Sequence, residues 1–135
     1  MMPERLQTRL LPIAPDLLAP DQSEIRLLTS LAGGSMVHCR LQSGAITIAV
    51  QHHTVEEHWY VLGGRGRLWR AGAEGEEVIE LVAGLSCTIP LGVRFQFRND
   101  DAEPLDILIV TMPPWPGADE ASAVTGPWQP CPPSG

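Results

Sequence analysis

Residues 48–66 concentrate the side chains of this chain that could do chemistry. The segment reads IAVQHHTVEEHWYVLGGRG and holds three of the four histidines, the adjacent Glu56 and Glu57, and a glycine-rich turn. Imidazole and carboxylate groups at short spacing can bind transition metals, and they can also transfer protons without a metal. The segment therefore predicts either a metal site or a polar pair, and the surrounding elements decide which of these side chains meet.

The composition indicates a single acidic domain. The chain has 135 residues and a net charge of −7, with 16 acidic residues against nine basic residues, all of them arginine. Because no basic stripe is present, we expect no nucleic-acid partner. No apolar run approaches the length of a membrane span, so we expect no membrane association. The N-terminus lacks the pattern of a signal peptide, which predicts a cytoplasmic location.

Proline and glycine divide the chain into three parts. Residues 1–22 carry four prolines and predict an extended lead-in, with a short helical turn near 16–19. Residues 23–112 form the predicted folded domain. Residues 113–135 are a Pro/Gly-rich tail that can make neither a long helix nor a central strand. Trp115 and Trp128 are placed to pin this tail across the surface of the domain.

Short strand-like segments separated by turn signals fill the middle of the chain. They are 24–30, 35–41, 45–51, 57–62, 66–71, 77–82, 86–90, 93–99 and 105–112. Helical periodicity is almost absent. Many short strands at this spacing predict an all-β sandwich or barrel.

Alternation along a strand predicts which side chains face the interior. One face of the third segment carries branched aliphatic side chains and ends in a histidine: Ile46, Ile48, Val50 and His52. This face should be the interior one, so we expect His52 to point inward. The strand that contains Glu57 is largely apolar on both faces and does not determine its own orientation.

Residues 44–99 resemble the cupins, a family whose fold is a small double-stranded β-helix or jelly-roll barrel. The second cupin motif is nearly complete, with the required spacing at four positions: Gly84, Pro90, Gly92 and Asn99. In the first motif Glu57 and Gly64 have the required spacing, and Gly44 fits the opening glycine. The resemblance implies an all-β cupin barrel over residues 23–112, with Pro-rich extensions at both ends.

The resemblance leaves the metal ligands incomplete. Metal-binding cupins generally use three histidines and one glutamate, and the first motif supplies two of those histidines. Counting three residues back from Glu57 gives His53, with Gln51 at the first histidine place. Counting four residues back gives His52, with Val50 at the first place. Either alignment retains only one histidine of the pair.

The remaining family histidine is replaced by Phe95, whose ring cannot coordinate a metal. A divalent metal would therefore need a recruited ligand. The candidate metal ligands are His52, His53 and Glu57, with Gln51 or His38 as substitutes. His38 shares a strand face with Met36 and Arg40, so we expect it outside the barrel.

Phe95 favours a barrel that binds an organic molecule. We predict a small-molecule-binding cupin in which Glu57 and His52 are the catalytic or binding pair and partner each other, because a buried carboxylate needs a partner. The expected pocket wall consists of Val50, Trp59, Val61, Phe95 and Phe97.

Two enzymatic alternatives stay open on the sequence. One is a metal-dependent enzyme of the dioxygenase or isomerase type, and the other is a metal-free enzyme in which Glu57 and His52 transfer protons. An anionic ligand would be indicated if Arg67 or Arg94 faced the cavity. Small cupins are commonly homodimers, so the resemblance also implies a homodimer.

Overall fold

The computed structural model describes residues 6–134, so the first five residues of the predicted lead-in and the last residue of the tail lie outside the described part. The strands are β1 (Leu17–Leu18), β2 (Glu24–Leu31), β3 (Gly34–Leu41), β4 (Val50–His52), β5 (Glu56–Gly63), β6 (Arg65–Gly72), β7 (Gly75–Val82), β8 (Ser86–Ile89), β9 (Arg94–Arg98), β10 (Leu105–Met112) and β11 (Ala121–Ala123). A 3₁₀ turn, Ala118–Glu120, precedes β11. Within 6–134 no helix is long and apolar enough to cross a bilayer.

The strands form two antiparallel sheets that face each other. The first sheet has the order β1-β2-β3-β10-β5-β8, and the second has the order β11-β4-β9-β6-β7. Neighbours in a sheet are often distant in sequence, as when β10 lies between β3 and β5. This is the all-β jelly-roll barrel that the sequence predicts, and its core lies between the sheets.

The burial of β5 settles the orientation that the sequence left open. Glu57, Trp59 and Val61 are buried, whereas His58 and Tyr60 are exposed on the other face. The registered neighbour β10 alternates in the same way. The strand therefore directs its only buried carboxylate into the space between the sheets.

The predicted strand 45–51 is wrong in its length and in which of its side chains are buried. Only Val50–His52 forms β4, and residue Ile46 makes isolated bridges to Arg98 and Cys131. Thr47 is buried, whereas Ile46 is only half-buried. The Thr47 hydroxyl hydrogen-bonds the backbone of β9, and the C-terminal tail covers the outer side of the segment. Because both sides are covered, simple alternation does not apply here.

The lead-in is extended, and the predicted helical turn near 16–19 is wrong. Leu17 and Leu18 instead form β1 against β2. The carboxylate of Asp16 accepts a hydrogen bond from the backbone N–H of Leu27 at 2.8 Å, which holds the chain against the sheet. Arg26 adds hydrogen bonds to the carbonyl oxygens of residues 12 and 13 at 3.0 and 2.8 Å. These contacts favour an edge strand over a helix.

The tail crosses the second sheet and is held there by Trp128. The Gln96 side chain donates to the Trp128 carbonyl at 2.9 Å and accepts from the Trp128 N–H at 3.1 Å. The guanidinium groups of Arg67 and Arg98 lie 5.6 and 5.3 Å from the centre of the indole. Trp128 therefore pins the tail, as the sequence predicts.

Candidate functional site

A cavity of about 430 Å³ lies between the two sheets at one end of the barrel. Its walls are mainly apolar and include four aromatic residues: Trp59, Phe95, Phe97 and Trp115. The Trp59 ring meets the Phe95 and Phe97 rings edge to face, with centroids 5.7 and 5.1 Å apart. Such edge-to-face packing fixes the rings and gives the cavity a rigid aromatic wall.

Four of the five predicted wall residues line the cavity, and Val61 does not. Val50, Trp59, Phe95 and Phe97 line the cavity, whereas Val61 is fully buried in the core and does not line it. Val61 shares the inner face of β5 with Trp59 but lies two residues farther along the strand, beyond the cavity. Alternation correctly predicts the face, but it does not tell how far along the barrel the cavity extends.

Glu57 is the buried carboxylate that β5 directs into the cavity. The side chain is 6% exposed, and its Oε1 accepts a hydrogen bond from Trp59 Nε1 at 2.9 Å. Burial raises the pKa of Glu57 to about 7; the Trp59 hydrogen bond opposes the rise, and the negative charges of Asp21 and Glu120 add to it. Among the described residues, no group donates a hydrogen bond to Oε2.

His52 lies on β4 across the cavity and is 5% exposed. Its ring packs edge-on against Phe95 and Trp115, with centroids 5.1 and 5.2 Å apart. Within residues 6–134, Nδ1 is buried and has no hydrogen-bond partner. Burial lowers the pKa of His52 to about 4, so the imidazole is neutral at neutral pH.

The expected pairing of His52 with Glu57 is wrong. In the described part of the chain, no hydrogen bond or ion pair joins the two side chains. Trp59 partners Glu57 instead, because residues two apart on a strand share a face. His52 is surrounded by aromatic rings rather than by the carboxylate. Both groups therefore line the cavity with polar atoms that have no hydrogen-bond partner among residues 6–134.

Asp21 is a cavity residue that the sequence did not predict. It is 7% exposed and lies in the turn before β2, where Oδ1 accepts hydrogen bonds from the backbone N–H and hydroxyl of Ser23 at 2.9 and 2.6 Å. Gln22 adopts a left-handed conformation with φ of 80°, which only a well-held turn sustains. Burial raises the pKa of Asp21.

The sequence around Asp21 predicts a turn, but it does not predict that this turn lies at the cavity. Pro-Asp-x-Ser is a typical signal for a turn in which the aspartate caps its own backbone. The Asp21 carbonyl accepts a hydrogen bond from the backbone N–H of Ile48 at 3.1 Å, a contact across 27 positions of sequence. This long-range contact inserts the turn into the cavity end of the barrel.

Trp115 is the second cavity residue that was missed in this role. Its backbone N–H donates to the Ser35 hydroxyl at 3.2 Å, and that hydroxyl also hydrogen-bonds the buried Thr111. These contacts hold the start of the tail over the cavity. The sequence predicts Trp115 to pin the tail, and the structure places it against His52 as well.

The histidines and the glutamine of the predicted metal set lie apart. His53 is exposed, and its Nε2 is 2.7 Å from the Ser122 hydroxyl. The Gln51 side chain donates to the Gly92 carbonyl at 2.9 Å. Neither lines the cavity. Only His52 and Glu57 of the predicted set do so.

His38 does not line the cavity either, and it lies on the outer face of the first sheet. The side chain is buried, and its Nε2 lies 3.1 Å from Asp106 Oδ1 on β10. Asp106 also binds Arg40, and Arg26 on the next strand lies opposite His38. These side chains cover the outer face of the sheet, so a histidine there is buried without facing the barrel.

The described residues do not fit a cupin metal centre. No group of three His, Cys, Asp or Glu side chains in 6–134 has the geometry to hold one ion. The Phe95 ring occupies the wall next to His52 at the family's histidine position. We therefore derive no chemical step through a metal.

A buried glutamate of the tail organises the loop between β4 and β5. The Glu120 carboxylate accepts backbone hydrogen bonds from His53, Thr54 and Val55 at 2.9, 2.7 and 2.9 Å. Burial acts to raise the pKa of Glu120, but the hydrogen bonds from Thr54 and Val55 outweigh it, so the pKa is lowered. This loop connects the strands of His52 and Glu57, so the tail helps to position both.

The second motif shapes the opposite wall. The Val93 N–H donates to the Pro90 carbonyl at 3.2 Å, and Gly92 between them has φ of 80°. This geometry is a turn that needs glycine, and it leads β9 back so that Phe95 enters the cavity. At the end of β9, the buried Asn99 side chain donates to the carbonyls of Leu41 and residue 103 at 3.0 and 2.8 Å.

Comparison with known proteins agrees with this architecture. The sequence pattern of the family described as "Cupin domain" matches residues 37–111. The xanthan biosynthesis protein XanB of Xanthomonas campestris pv. campestris is 34% identical over 80 residues, which are 59% of this chain and 16% of that protein. The chain thus spans about 16% of the length of the curated relatives that it matches.

Among solved structures, oxalate decarboxylase from Bacillus subtilis aligns with a TM-score of 0.65 at 16% identity, over 76% of this chain and 28% of that chain. A deletion variant of the same enzyme aligns with a TM-score of 0.67 at 14% identity, over 82% and 30%. At such identities the likeness concerns the fold alone. The family match extends over more than half of the chain, from β3 to β10, and the chain belongs to the cupin family.

Proposed function

We propose that the barrel cavity binds a small organic molecule beside Glu57 and His52. The observation that carries this proposal is an aromatic cavity of about 430 Å³ in which His52 Nδ1 and Glu57 Oε2 have no hydrogen-bond partner among residues 6–134. Small-molecule sites typically have volumes of about 300–1,000 Å³, apolar walls and a few polar groups that orient the ligand.

The two polar groups suit a ligand that both donates and accepts hydrogen bonds. Neutral imidazole carries one donor and one acceptor nitrogen. Because the pKa of Glu57 is about 7, its carboxyl group can donate as an acid or accept as a carboxylate near neutral pH. A ligand with an apolar body and one or two polar groups would satisfy both residues.

The similarity to these proteins does not indicate which reaction, if any, this chain catalyses. XanB is named for xanthan biosynthesis and the structural neighbours are oxalate decarboxylases, but the chain spans only 16% of the first and 28% of the second. The proposal therefore concerns binding in the barrel.

Proton transfer is a second candidate function, favoured by the position of Glu57. Glu57 lines the cavity, its Oε2 accepts no hydrogen bond from residues 6–134, and its pKa of about 7 is suited to accepting and returning a proton at neutral pH. A bound carbon acid would give its proton to Oε2 and receive one back. Incorporation of solvent deuterium into a bound carbon acid, lost in Glu57→Gln while binding is kept, would support this activity.

Binding can be tested with a panel of four probes: indole, cyclohexanol, benzoate and choline. The readouts are the midpoint of thermal unfolding and tryptophan fluorescence, since Trp59 and Trp115 line the cavity. A probe at 100 times its dissociation constant stabilises the folded state by about 2.7 kcal/mol, which raises the midpoint by several degrees.

A matched pair of variants on β11 locates the binding site. Ala121 lines the cavity, whereas Ala123 on the same strand is exposed and does not. We expect Ala121→Phe to abolish the thermal shift and Ala123→Phe to keep it, with both variants folded by circular dichroism. The proposal fails if no probe shifts the wild-type midpoint, or if Ala121→Phe responds like wild type.

A further inference from the structure

Two buried carboxylates line the cavity, and neither has a positive partner in the described part of the chain. Asp21 from the lead-in and Glu57 from β5 both line it, and both are more than nine-tenths buried. Their hydrogen-bond donors are uncharged: Ser23 for Asp21 and Trp59 for Glu57. The negative charge of Asp21 adds to the burial that raises the pKa of Glu57, and burial raises the pKa of Asp21. Burial of a carboxylate without a counter-charge is costly.

No side chain of the described residues supplies the missing positive charge. The chain has no lysine, and Arg9 is the one arginine on the cavity lining in 6–134. Arg9 lies at the rim and binds both carboxylate oxygens of Asp16 at 3.0 Å. His52 is neutral because burial lowers its pKa to about 4. Residues 6–134 therefore leave Asp21 and Glu57 without a positive counter-charge.

The aromatic walls, like the two carboxylates, suit a positively charged ligand. Trp59, Phe95, Phe97 and Trp115 surround the cavity that the carboxylates enter. The face of an aromatic ring attracts a cation, most strongly in a desolvated site. An anionic ligand would have been indicated if Arg67 or Arg94 entered the cavity. Both lie outside it: Arg67 binds Asp100, and Arg94 lies against the Trp69 ring.

We infer that the ligand of this cavity is an organic cation, a protonated amine or quaternary ammonium compound, whose charge is met by Asp21 and Glu57 and whose apolar groups contact the aromatic walls. This inference rests on the proposed function and names the ligand class of the same site. It adds Asp21 to the binding residues, and it makes charge, rather than shape alone, the basis of selection.

The test compares cations with neutral molecules of the same shape by isothermal titration calorimetry on the wild-type protein. The probe pairs are choline with 3,3-dimethylbutan-1-ol, and phenyltrimethylammonium with tert-butylbenzene. We expect each cation to bind roughly tenfold or more tightly than its neutral counterpart, the size expected of a desolvated cation against aromatic faces. This comparison needs no variant, so it does not depend on how well a mutant folds.

Two variants then assign the charge partners. Asp21→Asn and Glu57→Gln keep an oxygen that can accept the Ser23 or Trp59 hydrogen bond and remove the charge. Each should weaken cation binding roughly tenfold or more, because it removes a negative charge beside the bound cation, and should leave the neutral counterpart unchanged. The matched controls are Asp119→Asn and Glu56→Gln, which alter exposed carboxylates and should leave both affinities unchanged.

The outcomes separate this inference from the proposed function. If a neutral counterpart binds as tightly as its cation, or only indole or cyclohexanol binds, the cation inference falls and the proposed binding function stands. If Asp21→Asn and Glu57→Gln bind cations like wild type, the assignment of the two carboxylates is wrong. If no probe of either set binds, both proposals fail.

Discussion

Replacing Glu57 with glutamine should remove a pH dependence of stability that this buried carboxyl imposes on the ligand-free protein. The pKa of Glu57 is raised from 4.5 to about 7, mainly by burial. Below pH 4.5 the carboxyl is protonated in both the folded and the unfolded chain. As the pH rises above 4.5, the unfolded chain ionises first, and the folded state loses stability until the loss is complete above about pH 7.

The structure sets the size of this effect. One pH unit of pKa difference corresponds to 1.36 kcal/mol, so the rise of the pKa to about 7 lowers the free energy of unfolding by about 3 kcal/mol at pH 8. Because Glu57 is 6% exposed, solvent screening reduces this figure little. Glutamine has the same shape, keeps an acceptor for Trp59 and has no charge to bury.

The assay is urea unfolding followed by tryptophan fluorescence at pH 5, 6, 7 and 8. Glu57→Gln should gain about 2–3 kcal/mol over wild type between pH 5 and pH 8. Other groups near Glu57, namely Asp21, Cys39, His52 and Glu120, are common to both proteins, so their own titration largely cancels in the difference. Glu56→Gln, at the exposed neighbouring carboxylate, should gain nothing across the same range.

A constant difference between Glu57→Gln and wild type from pH 5 to pH 8 would refute the reasoning. It would mean that Glu57 is ionised in the folded state at the same pH as in the unfolded chain. Asp21→Asn gives a second check. Removing that negative charge should lower the pKa of Glu57, so the loss of stability should begin at the same pH but end at a lower one.

Three further predictions concern the tail, the wall and the assembly. Glu120→Ala should lower the free energy of unfolding by about 2–4 kcal/mol, since it removes charged hydrogen bonds to the backbone of 53–55. Urea unfolding measures this loss, and an equal loss in Asp119→Ala would contradict the prediction. Phe95→His places a second imidazole beside His52 and should retain more zinc or manganese after dialysis than wild type, measured by elemental analysis; equal metal contents would show that this ring is not what limits metal binding. The exposed aliphatic side chains of the lead-in favour a homodimer. Light scattering at micromolar concentration should therefore give about twice the 14.7 kDa chain mass, and a single monomeric species would contradict this prediction.

Local chemistry in the motifs made the fold predictable. A left-handed turn at Gly64 and another at Gly92 require glycine, because other residues are strained there and, at Gly64, a Cβ would lie 2.2 Å from the Pro104 carbonyl oxygen. Asn99 likewise has the side chain that closes the end of β9. Such requirements act over a few residues, so they are visible in the sequence at fixed spacing.

Strand alternation also placed part of the site. It predicted His52, Phe95 and Phe97 inside, and it put Glu57 on one face with Trp59. It did not predict that Trp59 would take the hydrogen bond expected of His52, because both partners were compatible with the same facing. The choice depends on distances across the barrel, which strand periodicity does not contain.

The sequence by itself determined the barrel, the motif position of Glu57 and the aromatic replacement at position 95, because each follows from short-range spacing. Only the tertiary structure decided that Asp21 and Trp115 join the same cavity, and that His53, Gln51 and His38 do not. Asp21 comes from the lead-in and Trp115 from the tail, and each is held by contacts to distant strands. Long-range contacts bring the two ends of the chain to one cavity, and no local pattern in the sequence records them.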